Sequence, residues 1–219
     1  MKRKVYIILA AVFTAAFLVS GFMLCRQYLD EKNSAGAFDD LVQMVETMPS
    51  DSEVPEEESE TPAQTAFDKY AELYALNDDL ISWISIDGTN INYPVMQTKD
   101  RPDYYLKRNF ERQYSDYGVP YVSESCDVDI SDNTVIYGHH MKNGTMFSDL
   151  CNYTSESFYE EHKSIRFDTL GGFGEYEIIA VFKTVVYSEA GFKYYRYVNF
   201  EDKAVFDEFI AECNALSLY

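Results

Sequence analysis

Thr134-Val135-Ile136-Tyr137-Gly138-His139-His140-Met141-Lys142-Asn143-Gly144-Thr145-Met146-Phe147 decides how this chain is read. The β-branched and aromatic residues over 134–137 predict a strand. It hands a glycine and then a histidine to a loop. Histidine changes charge near neutral pH, so His139 at a strand end is suited to a general acid/base that must be aimed at a substrate. His140 follows directly and, on an extended backbone, points to the opposite face; it is expected to be structural or exposed.

Outward from this block the pattern is strand-rich. Residues 81–86 alternate, Asp87-Gly88 makes a turn, and residues 90–96 alternate again, which predicts a hairpin. Pro94 argues for an edge or bulge position in its second arm. Residues 118–122 predict a short strand, 175–186 a longer strand or strand pair, and 194–198 begins or flanks another. Helices are predicted over 65–76, with Phe67, Tyr70, Leu73 and Tyr74 on one face, and over 201–216, striped by Val205, Phe206, Phe209, Ile210 and Cys213. The chain is therefore mainly β with helices, a barrel or a sandwich; no internal repeat is seen.

The N-terminus is Lys2-Arg3-Lys4 followed by an uncharged, mostly apolar run over 5–25 that Arg26 ends. That length matches a helix across a hydrocarbon core of ~30 Å, and the leading cations predict a cytoplasmic N-terminus with the body outside. A cleaved signal peptide is the rival reading, with Ala15-Ala16-Phe17 and Ser20-Gly21-Phe22 as imperfect cleavage sites. Leu24 before Cys25 argues against a lipoprotein cysteine. The expected organisation is a cytoplasmic tip and transmembrane signal-anchor over 1–26, an acidic extracellular stalk over 27–64, and a single domain over 65–219. Within the stalk, Phe38, Leu41, Val42 and Val45 recur at helical spacing, and residues 49–64 read as a self-repelling spacer that holds the body off the bilayer.

The net charge is −19, about half of it in the stalk, which argues against a nucleic-acid partner. Cys25, Cys126, Cys151 and Cys213 show no zinc or CxxC spacing, though Cys126 and Cys151 pair if their backbones come close. A zinc site on His139, His140 and His162 lacks ligand spacing. No cofactor or metal is expected.

Five ordered blocks carry a resemblance to a known family. They are Asn77-Asp78-Asp79-Leu80-Ile81-Ser82-Trp83-Ile84; residues 86–97; Tyr104-Tyr105-Leu106-Lys107-Arg108-Asn109-Phe110; Ser115-Asp116-Tyr117-Gly118; and the Tyr137-Gly138-His139 block with Met141, Met146 and Phe147. Together, behind an N-terminal anchor, they closely resemble the class B sortases, membrane-anchored cysteine transpeptidases of Gram-positive cell surfaces. The resemblance implies a closed β-barrel, nominally eight-stranded, with a class B helix between later strands. It implies a cysteine thiolate that attacks the carbonyl after a threonine in the C-terminal sorting signal of a secreted protein. A peptidoglycan precursor or another amine acceptor then takes the acyl group, with His139 as acid/base and an arginine on the oxyanion. It also implies a groove with Asn92 and Met96 on one wall and Tyr195 and Arg196 on the other.

The family's cysteine and arginine lie on later strands, and the sequence reaches Tyr219 before either motif. The last barrel strands are thus expected to be missing here, and this polypeptide to be inactive as written. Cys213 on an apolar helix face, Cys126 among acidic neighbours and Cys151 on a short helix are each poor nucleophile candidates. Arg166 and Arg196 are poor oxyanion candidates. The alternative reading is a non-catalytic, membrane-tethered module that binds peptides.

Overall fold

A computed structural model describes residues 2–47, 65–185 and 191–219. Two alternating segments start the sheet: β1 (Leu80–Ser85) and β2 (Asn92–Met96) pair antiparallel around the Asp87-Gly88 turn. β3 (Tyr121–Val122) joins β2 in parallel at Met96, and β4 (Ile136–Tyr137) adds antiparallel to β3. On the other flank β5 (Ser164–Thr169) pairs with β1 and β6 (Glu175–Glu177) with β5. The order is β4-β3-β2-β1-β5-β6. This curled sheet is a partial barrel, with six strands among the described residues against the nominal eight.

Pro94 sits inside the sheet, and the ladder explains how. Met96 donates its N–H to Pro120 on the β3 side. Residues two apart point the same way, so the missing N–H of Pro94 faces that side where β3 has not begun. The position is locally an edge, as the proline demands.

Helix α2 (Ala66–Leu76) starts with a capping box between Thr65 and Asp68, and Asn77 ends it. It lays Tyr70 on Trp83, stacked at 5.9 Å. The Tyr70 hydroxyl donates to Asp168 on β5 at 2.7 Å, and Lys69 pairs with the same carboxylate at 3.3 Å. Asp168 is 1% exposed, so a residue that reads as solvent-facing is a buried tie between helix and sheet. Helix α3 (Glu156–Glu161) precedes β5, and α4 (Lys203–Leu216), capped by Asp202, ends with Cys213 buried.

Three expectations change. Residues 164–169 are a strand that the pattern reading did not single out. The strand expected over 175–186 is only β6: after Ile178 bonds to Lys163, residues 179–185 find no ladder partner among the described residues. Tyr194–Arg196 is a 3-10 turn rather than a strand.

The amphipathic segment near Phe38 is not a separate helix. It is the end of α1 (Lys2–Glu46), one continuous helix about 68 Å long at 1.5 Å per residue. Its apolar part is long enough to cross a membrane and is entirely uncovered by the rest of the protein. Its last turns bury Phe38 and Leu41 against the domain, with Phe38 edge-on to Tyr93 at 5.0 Å. The spacer expected over 49–64 lies outside the described residues.

Candidate active site

β4 carries the chain to Gly138, and what happens there is set by packing. A Cβ on Gly138 would lie 2.3 Å from the Phe147 ring, so only glycine lets that ring close over the strand end. The loop then returns on itself. The His139 carbonyl accepts from the Phe147 N–H at 2.8 Å, and His140 bridges Met146. The Ser148 hydroxyl lies 2.8 Å from the Met141 nitrogen and 2.6 Å from the Thr145 carbonyl. Met146, 1% exposed and at φ 58°, donates its N–H to the Tyr93 hydroxyl.

The His139 ring is thereby aimed at a backbone acceptor. Its Nε2 lies 2.8 Å from the carbonyl oxygen of Leu106. A carbonyl only accepts, so Nε2 carries the hydrogen and the neutral ring keeps its lone pair on Nδ1. Leu106 is held in turn by Gly118, at φ +62°, where a Cβ would sit 2.7 Å from the same carbonyl. Among the described residues the His139 ring has no other hydrogen-bond partner.

Aromatic residues frame the strand end. Tyr121 tilts against Tyr137 at 5.4 Å and donates to Asp103 at 2.6 Å. Burial pushes the Tyr137 phenol up, helped by the nearby Glu124 charge and by Tyr194. That last neighbour places the 3-10 turn carrying Tyr195 and Arg196 beside β4. Asn133 stitches it there, with its N–H on the Val198 carbonyl at 3.0 Å and its amide on the Tyr197 carbonyl. Arg196 is exposed and lines a cavity of 410 Å³ with Gly191, Phe192, Lys193 and Tyr197, while Tyr195 packs half-buried against the core.

Of the opposite wall that the resemblance implies, Asn92 is half-buried and Met96 fully buried. Met96 is 0% exposed, in the core at the register position beside Tyr121, and offers no surface to a peptide. Asn92 is four residues further back along β2, and its amide oxygen accepts from the Trp83 indole at 2.6 Å. Residues nearer His139 that pattern reading missed are Leu106, Gly118 and Asn143. The Leu106 carbonyl has no side-chain signature; Gly118, between a Tyr and a Val-Pro, was the available signal.

The histidines do not converge. His140 is exposed, and His162 stacks on Phe158 at 4.0 Å. No group of three or more metal-binding side chains occurs among the described residues. All four cysteines are free thiols. Cys126 is 2% exposed, its sulfur accepting from the Val135 N–H. Burial raises the Cys213 thiol. Arg166 lies on β5, across the sheet from β4.

Comparison with known proteins places this geometry. Residues 84–205, more than half of the chain, match the family model described as Sortase domain. Sortase B of Staphylococcus aureus is 28% identical over 219 residues, spanning 100% of this chain and 83% of the relative. Sortase B of Listeria monocytogenes is 28% identical over 212 residues, 96% of this chain and 80% of the relative. A Staphylococcus aureus sortase B–substrate complex superposes with a TM-score of 0.76 at 28% identity, covering 87% of this chain and 82% of that one. A sortase B complexed with triglycine gives 0.74 at 28% identity, covering 85% and 80%. The chain that ends a short strand in Gly138-His139 and closes Phe147 over it belongs to the sortase family of cysteine transpeptidases, among the class B sortases.

Proposed function

We propose that this protein is a membrane-tethered cysteine transpeptidase that cleaves a C-terminal sorting signal after threonine and joins the surface protein to an amine of peptidoglycan or of another protein. Residues 1–26 are its cytoplasmic tip and single-pass anchor, and 65–219 its extracellular catalytic domain. Within 27–64, the part that continues α1 is a bracket docked on the domain. The observation that carries the reading is the presentation of His139, with Nε2 spent on the Leu106 carbonyl and Nδ1 left to exchange a proton. In this scheme a thiolate forms an S–C bond to the threonine carbonyl. The C–N bond breaks, and the imidazolium gives its proton to the leaving amine. An incoming amine then attacks the thioester, yields a proton to Nδ1 and expels the thiolate. Arg196 and Tyr195 form one wall of the peptide groove. The substrate-bound and triglycine-bound relatives support a peptide donor and an amine acceptor.

One observation favours a second reading for residues 1–219 alone, a peptide-binding module. Cys126 and Cys213 are buried, Cys25 lies on the apolar part of α1, and the His139 ring bonds to no thiol. We therefore expect this polypeptide, in nanodiscs with a fluorogenic sorting-signal peptide and triglycine, to bind the peptide without turnover. Binding should perturb the NMR signals of His139, Tyr195 and Arg196; no perturbation there overturns the site. Turnover would instead return Cys126, Cys151 or Cys213 as nucleophile, decided by single Cys→Ala variants. In any form that transfers peptide, His139→Ala should cut the rate ~10²–10⁴-fold; undiminished transfer overturns the acid/base role.

A further inference from the structure

The extramembrane part of α1 presents one face to the domain at helical spacing: Arg26, Asp30, Ser34, Phe38 and Val42 recur every fourth residue. Each makes a defined contact. The Arg26 guanidinium lies over the Tyr114 ring at 5.0 Å. Asp30 accepts the Asp116 N–H at 2.8 Å. The Ser34 and Ser115 hydroxyls meet at 3.2 Å in a buried contact. Phe38 packs on Tyr93, and Val42 lies against the core. Beside this stripe, Glu31 accepts from the Asn143 amide at 3.0 Å.

Three of these contacts lead, by two arms, to the same imidazole. Asn143 sits in the loop between His139 and Phe147. It shapes that loop by accepting from Thr145, and it donates to the Tyr117 hydroxyl as well as to Glu31. Ser115 and Asp116 lead through Tyr117 to Gly118, the residue whose bare Cα lets the Leu106 carbonyl reach Nε2 of His139. One arm thus holds the loop that bears His139, and the other holds the acceptor that orients its ring. The Tyr117 phenol, joined to both, is pushed up by burial and by the Glu31 and Asp30 charges.

We propose that Glu31 and Ser34 of the anchor helix are positioning residues for His139, so that docking of α1 orders the histidine loop and sets the imidazole tautomer. This rests on His139 being the acid/base of the site. Glu31 and Asp30 are then not part of a solvated stalk. Their carboxylates hold one Asn amide and one backbone N–H that the domain turns toward the helix, and charge-assisted bonds are the stronger kind.

The test uses the whole chain in phosphatidylglycerol-containing nanodiscs and needs no turnover. With Ser34→Cys and Ser115→Cys combined, mild oxidation should remove both introduced thiols, whereas the one introduced thiol of either single variant stays titratable. Two thiols that stay free would overturn the docking. With ¹⁵N-labelled histidine, the wild type should show His139 as a single Nε2–H tautomer. Glu31→Ala should mix the tautomers and speed amide exchange at Met141 and Phe147 about tenfold, and Glu31→Gln, which keeps the acceptor oxygen, should restore both. An unchanged tautomer and exchange rate in Glu31→Ala overturns the positioning role. If docking and tautomer respond as expected while transfer survives His139→Ala, the acid/base reading falls and the coupling stands.

Discussion

β1 and β4 lie in one sheet and are held by different forces. β1 has ladder partners on both sides, with five residue pairs to β2 and four to β5, and Trp83 is clamped under Tyr70. β4 has two pairs to β3, after which its chain leaves the sheet. Past that point the histidine is fixed by close approaches and single hydrogen bonds: Phe147 on Gly138, Leu106 on His139, Ser148 across its loop. A ladder spreads its free energy over many bonds and tolerates the loss of one. A set of close approaches does not, but it can set a ring angle that a ladder cannot. The scaffold and the site are separable in this molecule, and each can be attacked without the other.

The largest effect is expected at the scaffold. Asp168→Ala removes a buried carboxylate from Tyr70, Lys69 and the Gly174 N–H. Loss of one partner from a buried polar set costs about 3 kcal/mol, readable as a fall in the unfolding midpoint. The His139 tautomer should be unchanged in the folded population; a scrambled tautomer would mean the two regions are not separable. Gly138→Ala is the converse experiment. Its Cβ must displace the Phe147 ring, an overpacking of about 2 kcal/mol, and amide exchange at Phe147 should rise while the β1 amides stay protected. Rapid exchange in β1 would break the comparison from the other side.

The smallest effect sharpens the boundary. Hydrogen bonds from Tyr114 and Lys107 hold the Asp116 carboxyl below its usual 3.8. A depressed carboxylate contributes stability above the unfolded value, and that contribution is lost as pH falls through the lower folded value. The pair is half exposed, so the contribution is under ~1 kcal/mol. The midpoint gap between wild type and Asp116→Asn should be small at about pH 6 and shrink progressively as pH falls below the ordinary carboxylate value of 3.8. A gap that widens on acidification contradicts the assignment.

Legibility followed the same division. The helix over 65–76, the β1–β2 hairpin and the Gly138-His139 strand end were readable because the cues are local. β5 escaped because Arg166 is exposed and Asp168 looks solvent-facing until α2 lays Tyr70 and Lys69 on it. The acidic turns around Asp30 and Glu31 read as a stalk for the same reason, since their partners at Asp116 and Asn143 are more than eighty residues away. The Leu106 carbonyl left no trace at all, because every residue has one. Met96, placed on a groove wall by likeness, is fully buried because its side chain stands on the face of the sheet that packs into the hydrophobic core.

An unbroken helix from the apolar run to Phe38 also has a screw sense. Each residue turns the chain by about 100° and lifts it by 1.5 Å. With the apolar run of α1 in a bilayer, the direction in which the histidine loop faces around the bilayer normal would be inherited from the azimuth of that helix. One residue inserted between Arg26 and Asp30 would swing the histidine loop by more than a quarter turn while scarcely changing its height.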